Sequence, residues 1–120
     1  MKFPSHLLPN ERMAITEYMA RIRERFPGHV LGVTLFGSKA RGDDDAESDI
    51  DLFVLVDAES DDLRCELWRI ASDVSLERGV VISARVFAQS RWTDAKRTLL
   101  PLYRAIVTEG IPLALESVPG

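Results

Sequence analysis

Apolar residues at Ile15, Tyr18, Met19, Ile22 and Phe26 recur at helical spacing and predict an amphipathic first helix. Pro9-Asn10-Glu11 opens it, with Asn10 as the expected N-cap, and Pro27-Gly28 ends it. Val30 to Phe36 is a short β-rich run read as a strand, and Ile50 to Val56 is read as a second. Between them Gly37-Ser38 breaks the first strand, Lys39 to Gly42 begins a helical turn, and the acidic stretch Asp43 to Ser48 is expected to be a loop. Ser60 reads as an N-cap followed by Asp61 and Asp62, which suit the positive end of a helix dipole. Leu63, Leu67, Ile70, Ala71 and Val74 then share one helical face, and Gly79 ends that helix. Val80 to Phe87 is a third strand, Pro101 to Glu109 a last helix, and Ile111 to Leu115 an extended tail or an edge strand.

The order α-β-(short α)-β-α-β-α predicts an α/β (α+β) domain in which helices pack on a small mixed β-sheet. A chain of 120 residues has room for one hydrophobic core, so a single domain over 1–120 is expected. Apolar residues at 46% and charged residues at 28% exclude a disordered tail and a low-complexity fibre. No apolar run approaches the ~18 residues of a membrane span. The stretch Met1 to His6 has no apolar segment typical of a secretory signal. Cys65 is the one cysteine, which excludes an internal disulfide and a cysteine metal cage, and a reducing, cytoplasmic home is expected.

Charge is unevenly distributed. Residues 1–42 hold seven Lys/Arg against three Glu, residues 43–62 hold ten Asp/Glu and no Lys or Arg, and residues 63–120 hold eight Lys/Arg against six acids. Such an acidic block is either a solvated loop or a place where carboxylates gather around a cation. A net charge of -4 argues against direct nucleic-acid binding, which needs a basic face, but not against a nucleotide that arrives with a divalent metal.

The informative stretch is Leu35-Phe36-Gly37-Ser38-Lys39-Ala40-Arg41-Gly42, followed by Ser48-Asp49-Ile50-Asp51-Leu52. Residues i and i+2 of a strand face the same way, with Cα atoms ~7 Å apart. Asp49 and Asp51 therefore project side by side, and at about 4–5 Å their charges repel by roughly 3–4 kcal/mol at an effective dielectric of ~20. Either both acids are simply hydrated at a strand end, or a cation compensates them. Mg²⁺ suits the second case, since it is commonly held by one or two carboxylates plus phosphate and water. Gly37 permits close approach of the backbone to a ligand, Ser38 offers a hydroxyl, and the helix start offers N–H groups to a phosphate. Arg41, one turn on, is within reach of the acidic loop or of phosphate.

These two segments resemble the signature of the minimal nucleotidyltransferases, members of the DNA polymerase β-like nucleotidyltransferase superfamily. The family pattern, G-S-x-A-R-G and then S-D-x-D-L, is matched in both halves, and the resemblance spans about residues 10–110. It implies the polymerase β-like fold. It implies that Gly37 and Ser38 hold a nucleoside triphosphate, and that Asp49 and Asp51 are catalytic acids binding Mg²⁺ and orienting the triphosphate for attack at its α-phosphorus. Active members carry a third carboxylate on the next strand. Here that strand has no acid: Ser83 stands closest to the expected position, and Arg85 on the same face would repel a metal. Metal affinity and in-line catalysis are expected to be weaker for it. Glu77 is expected to remain solvated, and Ser83 to pack in the sheet.

The resemblance implies transfer of a nucleoside monophosphate, AMP from ATP, to an acceptor hydroxyl. Many minimal members act as antitoxins beside HEPN-domain proteins, and some adenylylate a tyrosine of that toxin. A HEPN-domain protein is therefore the expected partner. The alternatives are a catalytically weak antitoxin that neutralises its partner by contact, and a metabolite nucleotidyltransferase completed by homo-oligomerisation. His6 and His29 are expected at the surface, Cys65 half-buried, and Arg91, Lys96, Arg97 and Arg104 on a solvated face.

Overall fold

Three seven-residue strands, the central one buried along most of its length, set the architecture. The computed structural model describes residues 3–43, 48–98 and 100–113, and the expected acidic loop at 44–47 and the tail beyond Leu113 lie outside them. The order is α1 (Pro9–Arg25), β1 (Val30–Phe36), α2 (Ser38–Arg41), β2 (Ile50–Val56), α3 (Asp61–Arg78), β3 (Ile82–Ala88), α4 (Gln89–Thr98), α5 (Pro101–Glu109) and β4 (Ile111–Leu113). The sheet runs β3-β2-β1-β4. β1 pairs antiparallel with both β2 and β4, while β2 and β3 are parallel and joined by the α3 crossover. The sheet is therefore mixed, as the sequence pattern predicts.

One face of the sheet presents Val33, Leu35, Ile50, Leu52, Val54, Val56 and Val86 to a core shared with Ala14, Ile15, Tyr18, Met19 and Ile22 of α1 and Leu63, Leu67, Ile70, Ala71 and Val74 of α3. Both helices bury the stripe their periodicity predicts. The Tyr18 hydroxyl donates to the Leu67 carbonyl at 3.2 Å, tying α1 to α3, and burial pushes the phenol pKa up. The opposite face is aromatic at its far end. Phe53 lies 4.4 Å from Trp92 of α4, and Trp92 lies 5.1 Å from Tyr103 of α5, by ring centroids.

Four local features differ from expectation. The N-cap of α1 is Leu8 rather than Asn10. Pro9 lacks an N–H and has a φ suited to the first helical position. Glu11, two residues further, accepts a hydrogen bond from the Leu8 N–H at 2.8 Å. Asn10 instead reaches the Arg78 carbonyl at the end of α3. β3 starts at Ile82, not Val80, because the left-handed Gly79 and a Val80 N–H bond to the Ser75 carbonyl prolong the turn. α4 has no counterpart in the predicted order, since only Ala95 of its residues is fully buried and the apolar stripe is too sparse to read. Cys65 is exposed rather than half-buried.

Among the described residues no helix is long and apolar enough to cross a membrane.

Candidate functional site

Gly37 joins β1 to α2 with φ 75° and ψ −157°, a backbone region that is essentially glycine-only. Its Cα lies against Asp51: a Cβ at position 37 would sit 2.3 Å from Asp51 Oδ2. The glycine thus serves the turn and the close approach at once. β1 and β2 set this meeting, because Phe36 pairs with Asp51 in the antiparallel register. In the parallel register on the other side, Asp51 pairs with Ser83. The residue beside the second aspartate is therefore the serine singled out above, and the strand supplies no acid there.

Asp51 is half-buried and its carboxyl is held above the ordinary value. Desolvation is the leading cause and the charge of Asp49 the next, while Arg85 and Arg41 pull it down and Glu109 pushes it up. Asp49 is exposed, one residue before β2. The charge of Asp49 thus reaches Asp51. Among the described residues no group of three or more His, Cys, Asp or Glu is placed to hold a metal ion. Two carboxylates next to a glycine turn remain the kind of donor set that Mg²⁺ completes with phosphate and water.

α2 has only four residues, so it carries little macrodipole and the expectation of a helix-dipole cradle shrinks accordingly. What the turn offers is the bare Gly37 backbone and the half-buried Ser38. Arg41 does fold onto acids. Its Nε donates to Asp43 Oδ2 at 3.0 Å and its Nη1 to Glu109 Oε2 at 2.8 Å, and these bonds raise its pKa. Glu77 stays away from the site, exposed and paired with Arg21 at 2.9 Å.

Three neighbours of the site are placed by contacts that no local pattern signals. Lys39, inside the G-S-K-A-R-G motif, turns inward and is 1% exposed; its Nζ bonds Glu11 Oε2 at 2.5 Å. His6 Nε2 lies 2.5 Å from the Lys39 carbonyl, so the segment before α1 also braces α2. Glu109 arrives from α5, 68 residues from Arg41 along the chain. Nothing in local spacing relates these residues, and only the folded topology brings them together.

A mixed sheet with a glycine-serine turn against one strand-borne aspartate of a D-x-D pair defines a nucleotidyltransferase of the polymerase β-like fold. The nucleotidyltransferase domain family model matches residues 15–107, and the chain belongs to that family. A Methanocaldococcus jannaschii protein described as a candidate protein adenylyltransferase is 32% identical over 101 residues, covering 84% of this chain and 95% of that one. A solved structure described as a candidate minimal nucleotidyltransferase is 26% identical with a TM-score of 0.54, covering 92% of this chain and all, 100%, of that one. A mutant of the toxin–antitoxin pair MntA–HpeT superposes with a TM-score of 0.55 at 19% identity, over 85% of this chain and 75% of that one. A toxin–antitoxin structure with AMP-PNP superposes with a TM-score of 0.54 at 19% identity, over 92% and 77%.

Proposed function

We propose that the protein transfers AMP from Mg²⁺·ATP to a hydroxyl group on a partner protein of the HEPN toxin class. The observation that carries this reading is the contact between Gly37 and the Asp51 carboxylate, beside Asp49 and the Ser38 turn. In this reading Gly37 and Ser38 receive the triphosphate, Arg41 takes part of its charge, and Asp49 and Asp51 hold Mg²⁺. Bound there, the ion would supply charge neutralisation for the triphosphate and for the acid pair. The acceptor oxygen forms a bond to the α-phosphorus, the bond to the β-phosphate oxygen breaks, and pyrophosphate leaves. The hydroxyl proton passes to solvent, since Ser83 cannot accept it as a carboxylate would. The name of the 32% identical relative supports adenylyl transfer to a protein, and the toxin–antitoxin neighbours support a toxin as the kind of partner.

The test is transfer of α-labelled AMP to a co-purified partner in the presence of Mg²⁺. Wild type should label it, and Asp49→Ala/Asp51→Ala should lose label and nucleotide binding together. Equal protection of the host by wild type and double variant would sink the enzymatic reading.

Ser83 beside Asp51 favours a second reading, a slow enzyme that neutralises its partner mainly by contact. Ser83→Asp should then raise Mg²⁺ affinity and transfer by about tenfold or more. An unchanged rate would show that the serine is not what limits it.

A further inference from the structure

Arg41 is held from two sides, and the second side is unexpected. Asp43 is two residues away and belongs to the same turn, but Glu109 closes the last turn of α5. A glutamate there stands at the negative end of a helix, where an acid is disfavoured, and that turn holds no basic residue to offset it. The helix therefore gives no reason for Glu109, whereas Arg41 Nη1 at 2.8 Å does. The backbone next to the carboxylate is closely packed. At the next residue, Gly110, an added Cβ would lie 2.3 Å from the Ile106 carbonyl oxygen and 2.7 Å from Thr34 Cγ2 of β1, so the end of α5 is seated hard on the sheet. The Glu109 side chain is 21% exposed against 45% for Arg41, so the guanidinium is the more accessible of the two to an incoming anion. The charge of Glu109 also reaches Asp51 and opposes that of Arg41 there.

We propose that Glu109 is a latch on Arg41, competing with the phosphates of a nucleoside triphosphate for the same guanidinium. With Arg41 Nη1 on Glu109 the latch is closed. A triphosphate brings enough negative charge to draw Arg41 away, and Glu109 is then left beside an anion, so it lowers nucleotide affinity rather than adding to it. This rests on the proposed nucleotide site. It adds a residue that the sequence motif does not contain and gives it a sign opposite to that of a metal-binding acid.

Titration calorimetry with Mg²⁺ and α,β-methylene-ATP, which cannot be cleaved at the α-phosphorus, tests it. Glu109→Gln should bind roughly three- to tenfold more tightly than wild type. Glu109→Asp, which keeps the charge on a shorter arm, should fall between. In an Arg41→Met background the gain from Glu109→Gln should largely vanish. Glu24→Gln on α1 removes the same charge from an exposed position away from Arg41 and should change little. Equal or weaker binding by Glu109→Gln, with a melting temperature near wild type, overturns the latch. So does an equal gain in Glu24→Gln, or a gain that survives intact without Arg41. If wild type and Glu109→Gln both fail to bind at millimolar ligand, the nucleotide site itself is refuted, and the latch with it. If wild type binds, Asp51→Asn abolishes binding and Glu109→Gln gives no gain, the site stands and the latch alone fails.

Discussion

Replacing Gly37 by alanine imposes two costs at once, a glycine-only backbone conformation and a Cβ placed 2.3 Å from Asp51 Oδ2. Strain of this kind costs about 1–3 kcal/mol, and relief requires the carboxylate to move. Gly37→Ala should therefore lower stability by that amount in urea titrations and abolish nucleotide binding even where it folds. Lys39 and Glu11 invite the opposite comparison. A buried pair broken on one side leaves an uncompensated charge, so Lys39→Ala or Glu11→Ala should cost about 3–5 kcal/mol, whereas Lys39→Met/Glu11→Gln, which keeps an acceptor for the Leu8 N–H, should cost less than either. Denaturant midpoints of the three variants check this. Asp51 gives a pH dependence. Its carboxyl is held above the ordinary value, so the folded chain binds a proton at pH values where the unfolded chain has released it. That contribution to stability is greatest below the ordinary carboxylate range and is lost as pH rises through the folded value. Asp51→Asn should thus melt higher than metal-free wild type near pH 7, and the gain should shrink toward about pH 3. Thermal melts in chelator at both pH values decide it.

At the level of elements, the informative piece is α4, because it is where reading the sequence falls short, while α5 runs from Pro101 to Glu109 as expected. α1 and α3 are legible because each carries a stripe of five buried apolar residues over about two to three turns. α4 is not, because its packing rests on Trp92 against Phe53 and Phe87 and on Ala95, which is too few positions to set a period. Trp92→Ala should nonetheless cost roughly 2–4 kcal/mol, read by denaturation, since it removes the ring that joins β2, β3 and α5. The candidate site divides in the same way. The pairing of Asp51 with Gly37 could be anticipated because both lie in short motifs at strand ends. Glu11 and Glu109 could not, because each reaches the site through register and helix packing that no local pattern encodes. Asn10 failed as an N-cap for a local reason instead: the proline beside it takes the first helical position.

Across the whole molecule, the site gathers groups from separate strands. Gly37 follows β1, Asp51 sits on β2 and Ser83 on β3, with β2 between an antiparallel and a parallel neighbour. The nucleotidyltransferase fold therefore positions Asp51 through strand register, and a slip of one residue would turn it toward the apolar layer.

The outer strand β3 has one further property. The Trp68 indole, 48% exposed, donates through Nε1 to the Ala84 carbonyl at 3.2 Å, on the strand that ends the sheet among the described residues. A foreign strand seeking to extend the sheet there finds that rung already taken by a bulky ring. Any strand adding to this border must first displace the indole from the Ala84 carbonyl, which lowers the border's capacity to pair with another copy.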